Sequence, residues 1–399
     1  MMLLSAFLAL SAFPQAEEPI HALRAAKVFT SADAGVVNNG IVVWQEGRIL
    51  FVGREEDADL PEGLEIRDLG DLWLAPGLVE PHCHVAGSLR DLNDTVYLAN
   101  PGMNSLNVVE PGNPLVKDGL AGGVTSALLI PGSGSNMGGW GTFVKFAGET
   151  IEDVVVRSPG SLKIAQAGNP ERWGFGVGRM MMNWNTRHTL QRGLTWARHW
   201  KAGKSDWEPM LAPFLGLLER TIPPSVHTQI YQVVLMTITM QVRDLGLASF
   251  IDHGTFDGYK TGPMAVEYNV PVMNGPRQFW YDRSRARFQG NGAGWAEYVP
   301  EGLVLGYNTD SPVVPQEELS YQAAMGVRLG HDDPAAALKG ITANAAFALK
   351  VDDRLGSLQT GMEADFVAWT GFPLDPRSSV VHAWINGELA YEAKEGRRF

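Results

Sequence analysis

The chain has 399 residues, 45% of them apolar and 19% charged, which excludes disorder and leaves room for one large domain plus a smaller one. Its net charge of -12 argues against nucleic acid or an anionic membrane as the main partner. The single cysteine, Cys83, excludes a disulfide framework and a Cys-rich zinc site, so any metal falls to His, Asp or Glu.

The chain opens with an apolar stretch from Leu3 to Phe13, the length of a signal-peptide core and too short to span a bilayer. It lacks a basic residue at its start and carries Pro14 where a small residue is preferred. The alternative is a buried N-terminal segment. Residues 1–16 are therefore expected to be an export signal, giving a periplasmic or extracellular protein with no membrane span.

Residues 17–73 read as short strands: 23–29, then 41–44, then a Glu46-Gly47 turn into 48–53. The C-terminal stretch 355–399 has the same texture, with strands at 365–369, 380–385 and 388–391 around an Asn386-Gly387 turn. Two β-rich ends bracketing a different middle predict a small composite β-sandwich domain built from both termini.

Between residues 74 and 354 eight apolar strands alternate with helical or glycine-rich stretches. They lie at 75–85, 123–130, 142–146, 162–166, 225–229, 248–253, 271–274 and 303–310. Helical pattern falls at 231–245, 316–329 and 334–349. Alternation at this spacing predicts an α/β fold, a (β/α)8 TIM-like barrel of parallel strands. A doubly wound sheet is disfavoured because no glycine fingerprint follows its first strand. Residues 186–200 read as an amphipathic helix with Leu190, Leu194, Ala197 and Trp200 on one stripe, expected to be a packing helix rather than a lid.

Chemistry in such barrels sits at the C-terminal strand ends. The first strand ends Glu80-Pro81-His82-Cys83-His84, and residues two apart face the same way, so both imidazoles point to the axis. His227 lies in the fifth strand, His253 ends the sixth and Asp310 ends the eighth. Singly each has a bland reading as a loop cap, a core histidine or a helix cap. Together they form a His/carboxylate set suited to Zn(II), or to Mn, Fe or Co. A cation there activates water and polarises a carbonyl, and Asp310 is placed to move the water's proton to a leaving nitrogen. Glycosidase chemistry would want two facing carboxylates at strand ends, and only Asp310 is convincing, which demotes that reading.

Residues 76–84 (PGLVEPHCH) resemble the first-strand signature of the metal-dependent amidohydrolase superfamily, nearest its imidazolonepropionase-like branch. Gly122 to Ser126, Ile251-Asp252-His253-Gly254, Asn308 to Pro312, Ile341 to Ala346 and Gly356 to Phe366 are similar to that branch's second, sixth and eighth strands and its return into the β domain. The resemblance spans residues 23–391. It implies a distorted barrel that hydrolyses C–N bonds of a small molecule (amide, cyclic amide, imide or N-acyl) with one or two divalent ions, Zn2+ foremost. It also implies that His82, His84, His227, His253 and Asp310 are ligands, with Asp310 the proton shuttle and His253 a ligand or a substrate-orienting residue. Two-metal relatives bridge their ions with a fourth-strand carboxylated Lys or a Glu. Here Lys163 is available for that role and Gly168 stands where relatives carry Glu. Arg277, after the seventh strand, reads equally as a clamp for a substrate carboxylate or as a loop salt bridge, and 173–184 as an entrance lining or packing. The competing class is an exported metal-containing barrel that binds or scaffolds without turnover. A homo-oligomer is compatible with either.

Overall fold

The computed structural model describes residues 18–396 apart from 90, 167, 173–175, 278, 283–285 and 291–293. The segment read as an export signal lies outside the described residues.

Strand β1 (His21–Phe29) pairs antiparallel with β2 (Val36–Gln45), and β2 with β3 (Arg48–Arg54). Glu46 and Gly47 join β2 to β3 with φ of 49° and 70°, the paired left-handed geometry that matches strand twist. Strands β4 (Ile66–Asp68) and β5 (Trp73–Pro76) run parallel to β1 on its other side. The chain then passes into a second sheet of β6 (Leu78–Cys83), β7 (Val124–Leu129), β8 (Met137–Lys145), β9 (Val155–Ala165), β10 (Pro224–Thr228), β11 (Phe250–His253) and β12 (Val272–Asn274). After a two-stranded hairpin, β13 (Phe279–Asp282) with β14 (Arg287–Gly290), strand β15 (Leu305–Tyr307) pairs with β12. A parallel bridge from Cys83 to Ser311 brings the two edges of this sheet together, so the eight strands form a nearly closed barrel.

The expectation of eight parallel strands fails at β8, which runs antiparallel to both β7 and β9. Only residues 130–136 connect β7 to β8, and a parallel connection needs a crossover of a dozen or more residues. The strand is also longer than its expected span 142–146, because Gly138, Gly139 and Gly141 are part of it.

The helices among the described residues include α1 (Pro114–Ala121), α2 (Ile151–Val154), α3 (Arg179–Lys201), α4 (Phe214–Glu219), α5 (Tyr231–Met236), α6 (Gly262–Glu267), α7 (Leu319–Arg328), α8 (Pro334–Lys339), α9 (Ala343–Leu349) and a short α10 (Ala393–Gly396). The helix expected at 231–245 is α5 continued as a π-helical stretch to Asp244, ending before Gly246 at φ 72°. The one expected at 334–349 is broken into α8 and α9. α3 buries Leu190, Leu194 and Ala197 as read from the sequence, but Trp200 leaves that stripe and is 38% exposed.

Val79, Leu128, Phe143, Phe250 and Met273, from five strands, pack with α9 as the inner core of the barrel. Alternate residues of the same strands, among them Leu78, Leu129, Ile251 and Val272, join the outer core beneath the helices. Finally β16 (Phe366–Trp369), β17 (Val380–Ile385) and β18 (Glu388–Glu392) return the chain to the first sheet, where β16 pairs with β5. Both termini thus build one continuous eight-stranded sheet, in the order β18-β17-β16-β5-β1-β2-β3 with β4 beside β1, where the sequence had suggested a sandwich. Phe366 and Ala368 pack within that sheet's own core, whereas Val367 and Trp369 face the barrel. At the junction the buried Lys145 ammonium lies 2.7 Å from Glu363 and 2.9 Å from Asp365, and Arg354 Nε donates to Glu363 at 2.6 Å.

Candidate metal centre

Strand alternation, and two local departures from it, bring the five candidate residues to one end of the barrel. The β6–β7 register is irregular between Glu80 and Cys83, so Val79 points inward, Cys83 outward, and His82 and His84 reach the axis. On β10, Val226 belongs to the outer layer and its neighbours Ser225 and His227 face in. On β11, Phe250 is inner and Ile251 outer, which makes Asp252 inner and would turn His253 away. His253 instead adopts φ 71°, and Asp310, just past β15, adopts φ 50°. A left-handed backbone at a non-glycine residue costs about 1–3 kcal/mol and persists only where the surroundings impose it.

His82 Nε2 and His84 Nε2 each lie 3.2 Å from Asp310 Oδ1. His82, His253 and Asp310 each offer a ligand atom, and these atoms lie within 4.8 Å of one another. The His227 ring centroid is 4.4 Å from that of His253, which is 4.7 Å from that of His82. The sequence-predicted residues therefore converge: three form the tight group, His84 touches it through Asp310, and His227 through His253.

Each imidazole is held from behind at Nδ1. His84 contacts the Ile130 carbonyl at 2.7 Å, His253 the Gly275 carbonyl at 2.7 Å, His227 the Ser133 hydroxyl at 2.8 Å, and His82 the Asp252 carboxylate at 3.0 Å. A carbonyl partner takes the Nδ1–H of His84 and of His253 and leaves their Nε2 lone pairs facing the centre, whereas His82 Nδ1 lies beside Asp252 as an ion pair without a hydrogen bond. His227 Nε2 and His253 Nε2 are buried with no hydrogen-bond partner. Nε2 lone pairs and a carboxylate oxygen facing one another at 3.2 Å repel unless a proton or cation lies among them. The donor set of His82, His253 and Asp310 fits a divalent cation of the zinc type, with His84 and His227 beside it.

The electrostatics follow the same geometry. Burial, opposed by Asp310 and reinforced by His82, lowers His253 to about 4. Burial, with His253 and Lys163 nearby, holds His227 well below its ordinary value. His82 is raised: burial and Lys163 push it down, and Asp252 and Asp310 outweigh them. Burial works to raise Asp310, but His253, His82 and His84 overcome it and keep the carboxylate ionised. Asp310 and His84 retain 18% and 14% side-chain exposure, so access from solvent arrives at these two, whereas His82 is sealed.

Lys163, on β9, is fully buried and turned inward, with Nζ 3.2 Å from His82 Nε2. Burial lowers its ammonium to about 8 against the pull of Asp252 and Asp310. Gly168 has φ 81°, and a Cβ there would stand 3.7 Å from His227 Nε2, so the space beside that histidine holds no side chain from this position. No loop salt bridge to Arg277 is found among the described residues, and its Nη1 and Nη2 are buried with no hydrogen-bond partner. Its guanidinium is buried, stacks 4.8 Å from the Tyr307 ring centre and takes one hydrogen bond from Nε to Asn274, and none of its contacts is a site residue or a carboxylate. Tyr307 packs against Gly326 of α7, which places this stack in the helix layer. Trp173 lies outside the described residues.

Sequence reasoning missed Asp252 and Ser133, which orient His82 and His227, and Glu80. The Glu80 carboxylate accepts from His82 N at 3.0 Å, Thr309 N at 3.0 Å, Thr309 Oγ1 at 2.6 Å and Gln316 Nε2 at 2.9 Å, tying the first strand to the eighth. The available signal was alternation itself, which places Ser225, His227 and Asp252 on one face.

Residues 296–392 match the family model described as the amidohydrolase family. Amidohydrolase tasK of Hapsidospora irregularis is 24% identical over 406 residues, covering 88% of this chain and 40% of that protein. Imidazolonepropionase of Bacillus cereus is 35% identical over 82 residues, 20% of this chain and 19% of that one. The chain thus spans less than half the length of these curated relatives. The crystal structure of an amidohydrolase from Thermotoga maritima MSB8 superposes with a TM-score of 0.82 at 27% identity, covering 93% of this chain and 99% of that one. A prolidase complexed with N-methylphosphonate-L-proline shares the fold, with a TM-score of 0.58 at 14% identity.

Proposed function

The chain belongs to the metal-dependent amidohydrolase superfamily, and from that premise we propose that it is a hydrolase of C–N bonds in a small molecule: an amide, a cyclic amide or imide, or an N-acyl compound. The observation that carries this reading is the convergence of Nε2 atoms on Asp310, each imidazole held at Nδ1 by a separate partner.

His82, His84, His227, His253 and Asp310 would hold the cation, with Zn2+ the preferred ion. A divalent cation bound there would supply Lewis acidity, lowering the pKa of water and polarising a substrate carbonyl. The remaining work belongs to the chain. Asp310, ionised and partly exposed, accepts the proton of the attacking water at its carboxylate and returns it to the leaving nitrogen, which departs poorly as an anion. Asp252, Ser133 and the Ile130 and Gly275 carbonyls keep the four rings aimed. Lys163 is the fourth-strand group available to bridge a second ion. A carboxylated Lys163 is expected to accompany two ions per chain, and a free amine one.

Metal analysis with turnover assays on N-acyl amino acids, dipeptides and cyclic ureas tests the proposal. Asp310→Asn is expected to lower turnover by about 10²–10⁴-fold with folding retained, and His82→Ala to remove both metal and turnover. Full activity after chelation would reject it. Bound metal without hydrolysis across the panel would favour a binding or scaffold role.

A further inference from the structure

The net charge of the chain hides a local exception. The 23 residues of α3 carry Arg179, Arg187, Arg192, Arg198 and Lys201 and no carboxylate, in a protein whose acidic residues outnumber its basic ones 44 to 32. Its inner stripe (Leu190, Leu194, Ala197) is buried in a core shared with Phe214 of α4, and Gly193 lies so close to Phe214 that a Cβ would stand 2.1 Å from the ring. The opposite face is neither apolar core nor ordinary solvated surface. Met180 is 89% exposed, Trp184 57% and Met181 49%, and at helical spacing the same face continues through His188, Arg192, Arg198 and His199.

Three of the cations are engaged by carboxylates from elsewhere: Arg179 with Glu171 at 2.7 Å, Arg187 with Asp244 at 3.0 Å and Lys201 with Glu219 at 2.6 Å. Among the described residues no carboxylate pairs with Arg192 or Arg198. Beyond the helix the exposed apolar surface resumes with Trp207 at 53% and Met210 at 60%, and Trp207 packs edge-on against the Trp200 ring at 5.2 Å.

We propose that this outward face of α3, with Trp207 and Met210 beside it, docks on an anionic lipid surface. Exposed methionine and tryptophan gain by leaving water, and indoles favour the level of the headgroups. Unpaired arginines on the same face gain from anionic headgroups, each cation contributing about 1 kcal/mol near such a surface. A two-fold pairing of this face with a second copy would bring together two surfaces that each carry the unpaired Arg192 and Arg198, which like charge disfavours. α3 is too polar to cross a bilayer, and none of the described helices is long and apolar enough to do so, so the helix would lie on the surface rather than span it. The first turns of α3 are fastened to the mouth of the barrel: Asn185 donates to Asn136 at 2.7 Å and Gln166 to Asn183 at 3.1 Å. Docking therefore holds that side of the mouth next to the lipid. The inference does not depend on the hydrolytic reading.

Sedimentation of the full chain with vesicles tests it, comparing phosphatidylcholine alone with phosphatidylcholine containing about a third phosphatidylglycerol. Binding is expected only with the anionic lipid and is expected to weaken as salt is raised. The pair Arg192→Glu and Arg198→Glu is expected to cut partitioning at least about tenfold, and Met180→Ser with Trp184→Ser to cut it severalfold. Both variants should keep the parent's circular dichroism and metal content. All proteins share residues 1–17, so any contribution from that segment cancels. No binding to anionic vesicles, or equal binding by parent and variants, overturns the proposal. So does a parent dimer, seen by light scattering, that both variants abolish, since this would assign the face to a second copy.

Discussion

One buried cluster of charged or ionisable side chains sits where the barrel meets the terminal sheet, and another at the barrel mouth. At the junction each charge lies against an opposite one, although Asp365 Oδ2 makes no hydrogen bond: Lys145 touches both Glu363 and Asp365, Arg354 shares Glu363, and Asn386 N donates to Asp365 at 2.8 Å. At the mouth, Nε2 atoms of His227 and His253 are buried with no partner, and those of His82 and His84 face a carboxylate that is already ionised. A cluster in which opposite charges meet fastens two parts of a fold. A cluster whose donors converge and stop short requires something further, and burial makes that requirement expensive to leave unmet.

The sharpest way to break this contrast is to damage the charge-paired cluster. Lys145→Ala leaves Glu363 and Asp365 buried without their ammonium and is expected to cost about 3–5 kcal/mol of unfolding free energy, while metal content per folded molecule is unchanged. Denaturant titration beside metal analysis checks both halves. A loss under about 1 kcal/mol would mean that the junction is not the weld described here.

A second test titrates the incomplete cluster. His253 in the folded, metal-free protein protonates near pH 4 and His227 also well below 6.5, whereas unfolded histidines protonate near 6.5. Between these values the unfolded chain binds more protons, so stability falls as pH drops from about 6.5 toward 4, by up to about 1.4 kcal/mol per pH unit for each such histidine. Metal-free protein is expected to show this slope in melts across the window. A flat profile would contradict the buried neutral imidazoles.

The smallest expected effect lies behind the ligands. Asp252→Asn removes the charge that aims His82 Nδ1 and is expected to weaken metal binding about 10–100-fold. Competition with a chromogenic chelator measures this. No change in affinity would demote Asp252 to packing.

The His-x-His pair and the histidines of the fifth and sixth strands were legible because strand ends gather at one mouth once the barrel is recognised. The manner in which they arrive was not. The turn of His253 toward the centre depends on a left-handed backbone, and the inward pair on β6 depends on an irregular register, neither of which side-chain alternation reveals. Strand β8 has the composition of a barrel strand in either direction, and only the short connection 130–136 betrays that it runs backward. Arg277 illustrates the opposite limit: a cation after a barrel strand read equally as a substrate clamp or a loop salt bridge, and its burial against Tyr307 was not visible in the sequence. The basic face of α3 was invisible in the total charge because sums over the chain erase local sign.

His84 and Asp310, 3.2 Å apart in space, are separated by 226 positions along the chain. An ion shared between them closes nearly the whole barrel in one step, and such a ring cannot form until β15 has docked beside β6. A cation taken up there would thus report that assembly is finished: a partly folded chain has the first-strand pair but not Asp310 beside it, so loading is expected to follow the long-range pairing.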